Sequence, residues 1–258
     1  MPELLTALQN RPLPDFRPAR IAKQAYGRKP IRAEAAGESL VSAANFDLPG
    51  RNHYAHPLNP PYWTVIPGAI DGLWLRPAVG ERLARADRRV RADGLRLFLL
   101  DAWRPRAVQA YFHDEWFPRE VRARHPDWSQ AQVMAEVERY WSAPSREGAP
   151  APHATGGAVD LTLTTVDGAG LFMGSVFDEG GDLAHPDRFE SINAAAGSFS
   201  ELEARGNRRL LHWVLREEGF AAHPEEWWHF SYGDQMWAAL SGEPEALFGE
   251  APPPSECA

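Results

Sequence analysis

Apolar residues recur at helical spacing along much of the chain. Between residues 79 and 90 they fall every three or four positions, and Gly94 follows as a stop, which predicts one helix. Residues 106–124 predict a second helix by the same criterion. Two more helices are predicted to begin with a capping box, in which a Ser precedes a Gln or Glu by three positions. The two pairs are Ser129 with Gln132 and Ser200 with Glu203.

Strands are predicted between these helices. The run 95–100 has strand length, residues 158–164 alternate in polarity, and residues 227–232 are rich in aromatic side chains. Strands and helices follow each other without a regular β-α-β rhythm, which favours an α+β domain over a doubly wound parallel sheet. A chain of 258 residues is long enough to bury the core of a single domain of this kind.

The two ends of the chain differ from the middle. The first 32 residues contain seven Arg or Lys and only two acids, with several prolines between them. Residues 1–40 are therefore predicted to form an irregular N-terminal arm, either a docking arm or a strap lying over the acidic body. Residues 41–248 are predicted to form the functional domain, and residues 249–258, with three consecutive prolines, a disordered tail.

Composition narrows the classes of function. A net charge of −8 argues against nucleic acid as a main partner, because phosphate binding needs a basic surface. No apolar run approaches the ~20 residues that cross a bilayer, and the N-terminus lacks the apolar stretch of a signal peptide. Cys257 is the only cysteine, which excludes an internal disulfide framework and a cysteine-based zinc site. These features favour a cytoplasmic protein without a membrane partner.

The first candidate for chemistry is His153, on a glycine-containing loop seven residues before Asp160. The glycines let the loop fold back, so that imidazole and carboxylate can converge on one point. Asp160 lies between Val159 and Leu161 in a predicted strand, where a buried charge costs several kcal/mol unless it is paired or binds a metal. The alternative is a strand-end Asp that pairs with an Arg or caps a neighbouring loop.

The second candidate is the segment Glu225-Glu226-Trp227-Trp228-His229, where two acids and a histidine stand beside two tryptophans. An apolar setting of this kind shifts pKa values and occurs at active sites. A carboxylate there can act as the general base that activates a metal-bound water. Strand alternation places Glu225 on the face of His229, and Glu226 shares that face only if the chain turns near Trp227. The alternative is an aromatic edge strand preceded by solvated acids.

Together the two segments supply His153, Asp160 and His229. A single histidine means little in a chain that contains nine, but convergence of both segments carries more weight than either alone. Two nitrogen ligands and one oxygen ligand suit a single Zn²⁺ with a fourth position open for water.

A third segment ends a predicted strand with Arg104 followed by Pro105. The proline holds Arg104 in an extended conformation, because its ring disfavours the helical region for the preceding residue. A guanidinium fixed at this place can polarise a substrate carbonyl or stabilise an oxyanion. The alternative is a local ion pair with Asp101.

These motifs carry a family resemblance. In order and approximate spacing they resemble the zinc D-alanyl-D-alanine dipeptidases of the vancomycin-resistance type, which are related to zinc D-Ala-D-Ala carboxypeptidases and to the Hedgehog-like fold. The resemblance runs from about residue 45 to residue 240 and implies a central antiparallel sheet with flanking helices. Its motifs are Asp101-Ala102-Trp103-Arg104-Pro105, His153-x-x-Gly156-x-Ala158-x-Asp160 and Glu226-Trp227-Trp228-His229.

The resemblance implies a role for each residue. Glu226, rather than Glu225, would take a proton from the zinc-bound water and hand it to the leaving amine. Arg104 would stabilise the tetrahedral intermediate. The implied zinc ligands are His153, Asp160 and His229.

A stretch that ends at Asp178 resembles the family segment whose Asp meets the free ammonium of the substrate. The alternative for Asp178 is a turn residue before two glycines. Two positions depart from the family pattern: Ala151 stands where a Ser is usual, and Leu40 lies near the place of an expected Tyr. Both departures concern the identity of the substrate rather than the metal.

The resemblance implies zinc-dependent hydrolysis of D-alanyl-D-alanine or a similar D-amino-acid dipeptide, with a small peptide as the partner. One alternative is a D,D- or L,D-carboxypeptidase or amidase with the same metal site and an open groove for a peptidoglycan peptide. Asp178 and the insertion 127–150 favour a closed site for a dipeptide. Another alternative is a non-catalytic zinc-stabilised binding module, which would not need both Glu226 and Arg104.

Overall fold

The structure is a computed structural model that describes residues 2–32, 38–193 and 195–254. It combines α-helices with antiparallel strands in one α+β domain, as the sequence predicted. The α-helices are α1 (Pro2–Asn10), α2 (Arg17–Lys23), α3 (Pro77–Arg91), α4 (Arg106–Ala110), α5 (Phe117–Arg124), α6 (Gln130–Tyr140), α7 (Phe199–Arg216) and α8 (Gln235–Ser241). The strands are β1 (Val41–Ser42), β2 (Trp74–Leu75), β3 (Leu95–Asp101), β4 (Ala158–Thr165), β5 (Ala221–Ala222) and β6 (His229–Ser231).

The central sheet is antiparallel, and its strands lie in the order β3-β4-β6-β5. Strand β4 occupies the middle and is buried along nearly its whole length. The predicted strand 158–164 is therefore confirmed, with one more residue. The predicted strand 227–232 is reduced to β6, because the chain turns over residues 224–228 before it enters the sheet.

Helices cover the sheet with the apolar faces that the sequence predicted. Helix α3 packs against β3, and helix α7 packs against α3 and β4. One hydrophobic core runs through these elements. The helical residues that are fully shielded from solvent there are Val79, Leu83, Ala86, Leu210, Leu211, Val214 and Leu215.

Two helix predictions need correction in detail. The capping box of α7 is formed by Ser198 and Glu201 instead of Ser200 and Glu203, so the helix begins two residues earlier than predicted. Both pairs have the required spacing, and the earlier pair satisfies the first backbone N–H groups of a longer helix. The predicted helix 106–124 is continuous but contains a π-helical turn between α4 and α5.

The N-terminal segment is not the irregular arm that the sequence predicted, because it contains α1 and α2. Leu8 and Phe16 are buried, which anchors the segment on the body of the protein. Ion pairs join Arg20 to Asp187 at 2.8 Å and Lys23 to Glu225 at 2.5 Å. These contacts agree with a strap over the acidic body.

The predicted tail lies partly against the domain. Ala251 is buried, and its N–H donates to the carbonyl of Ala154 at 2.9 Å. Residues 255–258, with Cys257, lie outside the described residues. Within the part of the chain that the structure describes, no helix has both the length and the apolar character needed to cross a membrane. The cytoplasmic location stays a prediction.

Candidate metal centre

The ends of three strands bring the candidate metal ligands together. The register of the sheet pairs Asp160 with His229 on one side and with Asp101 on the other. Residues directly opposite each other in an antiparallel pair project from the same face of the sheet. An irregularity between Leu99 and Asp101 shifts the register of β3, and so places Asp101 in this row.

His153 reaches the same face from a short 3-10 turn, Pro152–Thr155, that precedes β4. The turn ends at Gly156, which has a φ of +71°, a conformation that glycine adopts without strain. The ring atom Nδ1 of His153 lies 2.7 Å from the carbonyl oxygen of Ala102. A carbonyl can only accept, so Nδ1 carries the proton and Nε2 is left as the free lone pair, the usual arrangement of a metal-binding histidine.

The three candidate ligands match the spacing of a tetrahedral metal site. His153 Nε2 lies 3.3 Å from Asp160 Oδ2, His229 Nδ1 lies 3.1 Å from Asp160 Oδ1, and the two histidine nitrogens are 3.2 Å apart. Zinc bonds of about 2.0–2.1 Å in a tetrahedron separate neighbouring ligands by roughly 3.3 Å. Among the described residues, buried Asp160 Oδ1 has no hydrogen-bond partner of good geometry. A cation between the three groups would satisfy it, so the residues present fit a metal ion.

The electrostatics of the site also call for a cation. Burial alone would raise the pKa of Asp160, but His153 and His229 hold it well below its usual range. Several carboxyl groups lie in or beside the cavity, and Arg104 is the arginine that lines it. A divalent ion between the ligands would favour the ionised form of these carboxyl groups. The carboxyl groups are those of Asp101, Asp160, Asp178, Glu179 and Glu226.

Glu226 faces the metal ligands because the chain turns before β6. Its Oε2 lies 3.6 Å from His229 Nδ1 and 3.7 Å from His223 Nδ1. Burial raises the pKa of Glu226 well above its usual range, and the negative charge of Asp160 adds to the effect. Glu225 points elsewhere and pairs with Lys23. The chain therefore makes the turn near Trp227 that Glu226 requires to reach the face of His229.

Arg104 makes the local ion pair with Asp101 that was the alternative in the sequence, and its role toward a substrate stays a prediction. Its Nε donates to Asp101 Oδ2 at 2.7 Å, which is the local pair, and its Nη1 donates to Gln109 Oε1 at 2.9 Å. Its Nη2 lies 3.1 Å from Asp160 Oδ2 and 3.2 Å from the hydroxyl of Tyr54. Two of its nitrogens are thus anchored, and the third is directed at the candidate metal centre.

Asp178 lies on the opposite wall of the cavity, in a left-handed turn conformation with a φ of +58°. Its Oδ2 accepts hydrogen bonds from the hydroxyls of Tyr54 at 2.8 Å and Tyr62 at 2.9 Å. Burial, with the charge of Asp160 nearby, raises the pKa of Asp178 to about 7. Asp178 therefore stands in a turn, which was its alternative in the sequence, and also lines the cavity, and its contact with a substrate ammonium stays a prediction.

All six side chains predicted for the site line one cavity of about 30 Å³. That volume holds roughly one or two waters. Sequence reasoning missed Tyr54, Tyr62, Gln109 and His223, which touch the predicted residues. Their segments carry no recognisable motif, and only the folded chain brings them to the site.

The two positions that depart from the family pattern lie behind the site. Leu40 packs with Trp103 and Ala251 in a small apolar cluster. Ala151 is buried, and its N–H donates to Ser145 Oγ at 3.1 Å. The described lining of the cavity includes neither Leu40 nor Ala151.

A buried His-Asp-His set beside a carboxylate is the site of a metallopeptidase. Residues 74–243 match the peptidase family described as D-ala-D-ala dipeptidase, and the chain belongs to this family. The match contains every residue predicted for the site and leaves the N-terminal segment, Tyr54 and Tyr62 outside.

Individual relatives agree with this assignment. The D-alanyl-D-alanine dipeptidase of Synechocystis sp. is 35% identical over 181 residues, which cover 64% of this chain and 71% of that protein. The D-alanyl-D-alanine dipeptidase of Enterococcus faecium is 29% identical over 173 residues, which cover 64% of this chain and 79% of that protein. Among solved structures, VanYB in complex with D-alanine-D-alanine is similar with a TM-score of 0.47 and 16% identity, covering 83% of this chain and 89% of that chain.

Proposed function

We propose that this chain is a zinc-dependent dipeptidase that hydrolyses D-alanyl-D-alanine or a similar D-amino-acid dipeptide. One observation carries the proposal: the three candidate ligands, Glu226 and Asp178 all face a single small cavity. A metal set, a general base and an acceptor for an ammonium group are the parts that a dipeptidase needs. We further propose that residues 41–248 carry the activity.

Zinc would be held by His153 Nε2, His229 Nδ1 and the carboxylate of Asp160. When bound, it would supply a Lewis acid that activates water and polarises the peptide carbonyl. The hydrogen bond from His153 Nδ1 to Ala102 orients one ligand ring, and the sheet register orients Asp160 and His229. The chain therefore pre-forms the ligand geometry.

Glu226 is the proposed general base. Its carboxylate lies beside the ligand set, where it can accept a proton from the attacking water and pass it to the leaving amine. Arg104 Nη2 is the proposed donor to the oxyanion, and its anchored Nε and Nη1 hold it in place.

Asp178 is the proposed partner of the substrate's free ammonium. An ammonium is attracted by a carboxylate that its surroundings hold in one orientation, and the hydroxyls of Tyr54 and Tyr62 hold Asp178 in this way. An acylated amino group carries no charge to offset the burial of this carboxylate. Asp178 thus favours a peptide with a free amino group over an acylated one.

A hydrolysis screen tests the proposal. Zinc-loaded protein is given L,L, L,D and D,D dipeptides and an acyl-tripeptide, each with and without a chelator. We expect chelator-sensitive cleavage of a D,D dipeptide and little cleavage of the acylated peptide. Preferential cleavage of the acyl-tripeptide would instead identify a carboxypeptidase, and stoichiometric zinc binding without any hydrolysis would identify a binding module.

A further inference from the structure

A lysine of the N-terminal segment reaches the back of the candidate active site. Lys23, at the end of α2, donates through Nζ to Glu225 Oε2 at 2.5 Å and to the carbonyl of Arg139. The side chains of Lys23 and Glu225 are each only 11% exposed. Lys23 lies outside residues 74–243, the region that matches the family.

The two groups that Lys23 holds each belong to a residue that precedes a cavity-lining residue in sequence. Glu225 is the neighbour of Glu226, and its N–H donates to His223 Nδ1 at 3.3 Å, which closes the turn 223–226 from the other side. Arg139 directly precedes Tyr140, which lines the cavity at the end of α6. A single ammonium group therefore ties the turn that presents Glu226 to the helix end opposite it.

We propose that Lys23 is a positioning residue for proton transfer, which holds the turn 223–226 so that Glu226 faces the metal ligands. The proposal rests on the proposed role of Glu226. Without Lys23, the Glu225 carboxylate would lose its closest partner in a buried place and would turn toward water, because an unpaired buried charge is strongly unfavourable. Arg139, at 3.6 Å from Glu225, would compensate only in part. A displacement of about 1 Å at a catalytic group is enough to slow a reaction by about 100-fold.

A purely structural role is the competing explanation, in which Lys23 only docks the N-terminal segment. Arg20 provides a matched control, because it stands one turn earlier in α2 and pairs with Asp187 at 2.8 Å. That pair also joins the segment to the body, and Arg20 makes no described contact with the turn 223–226. Loss of docking alone would make the two substitutions equivalent.

The experiment compares K23M, K23R and R20Q in the full zinc-loaded chain, with kcat, KM, bound zinc and the thermal midpoint measured for each. We expect K23M to lower kcat by about 10- to 100-fold, with full zinc and KM within about threefold of the parent. K23R should recover most of kcat, and R20Q should stay within about twofold. Equal losses in K23M and R20Q, or an unchanged kcat in K23M, would overturn the proposal.

The double variant K23M/E225Q keeps the test decisive if K23M folds poorly. It removes the unpaired carboxylate but does not restore the tether, so we expect kcat to remain low. A return to the parent kcat would show that charge, and not position, matters. Hydrogen exchange of residues 223–228 separates this proposal from the proposed function: K23M should speed exchange there and R20Q should not, whatever substrate the enzyme cleaves.

Discussion

The metal ligands and the substrate wall are built in different ways. Asp160 and His229 face each other on paired strands, and their positions follow from the register of the sheet. Tyr54 and Tyr62 donate directly to Asp178, which lies 124 and 116 residues further along the chain. The strand ends hold the ligand atoms of Asp160 and His229 in the geometry of a metal site. The loops instead form a wall in which two tyrosine hydroxyls hold the carboxyl group of Asp178.

The difference assigns separate tasks to the two regions. Under the proposed function, groups on the strand ends and in the adjoining turn would act on the reacting atoms, so their loss should lower kcat. Groups on the loop wall would contact the non-reacting end of a dipeptide, so their loss should raise KM. Three substitutions probe the two regions and give four predictions, which follow from the largest expected effect to the smallest.

Glu226→Gln should lower kcat by about 10²- to 10⁴-fold, which is the usual contribution of a general base. The amide keeps the size and place of the side chain but cannot accept the proton. Bound zinc, measured by metal analysis, should remain at one per chain because Glu226 is not a ligand. Full activity in this variant would show that Glu226 is not the general base. Loss of zinc would show that Glu226 is a zinc ligand.

Asp178→Asn should stabilise the metal-free protein at high pH. The pKa of Asp178 is raised from its ordinary value of 3.8 to about 7, so the folded protein keeps this proton where the unfolded chain has released it. Stability from the protonated carboxyl is fully present below pH 4 and is lost as the pH rises through 7. At pH 8 the variant should gain on the order of 2–4 kcal/mol in free energy of unfolding.

Urea unfolding of chelator-treated protein at pH 4 and pH 8 measures this effect. The gain should vanish near pH 4, where both side chains are neutral and the two tyrosines can donate to either. The same gain at both pH values would mean that ionisation of Asp178 is not its cause.

Asp178→Asn should also raise KM for a D,D dipeptide by about 10- to 100-fold, because an ion pair with the substrate ammonium is replaced by a neutral contact. The effect on kcat should be small. Initial-rate kinetics at pH 8 give both constants for the zinc-loaded variant. A loss confined to kcat would show that Asp178 acts in the chemical step. The two regions would then not have separate tasks.

Tyr62→Phe should have the smallest effect, a rise in KM of about three- to tenfold. The substitution removes one of two hydroxyls that hold Asp178, while the ring keeps its packing against Phe112 and Trp116. A single hydrogen bond to a charged group contributes about 1.5–3 kcal/mol at most, and Tyr54 still holds the carboxyl. Isothermal titration with an unreactive dipeptide analogue, compared between Tyr62→Phe and the parent, would detect the change.

The sequence predicted the strand ends far better than the loop wall. His153, Asp160 and His229 lie in two short segments whose composition is unusual, and a family resemblance joined them. Tyr54 and Tyr62 gave no signal, because a tyrosine in a proline-rich loop is typical of many surfaces. Their part in the site depends on tertiary contacts that no local pattern encodes.

Local patterns also failed where packing decides the outcome. Aromatic composition predicted a strand over residues 227–232, but the chain turns over residues 224–228, and Glu225 and Glu226 contact partners in different directions. The N-terminal segment looked irregular because it is short, basic and rich in proline. Its helices α1 and α2 are too short to be stable alone, and burial of Leu8 and Phe16 holds them on the body.

The row formed by Asp101, Asp160 and His229 has a consequence for folding. A slip of one residue between β4 and β6 would send one of the two ligands to the opposite face and dismantle the metal site. Only the correctly registered sheet can therefore bind zinc tightly. Zinc binding then stabilises this sheet relative to misregistered forms by mass action. The metal ion proposed for catalysis would thereby also select the correct strand register during folding.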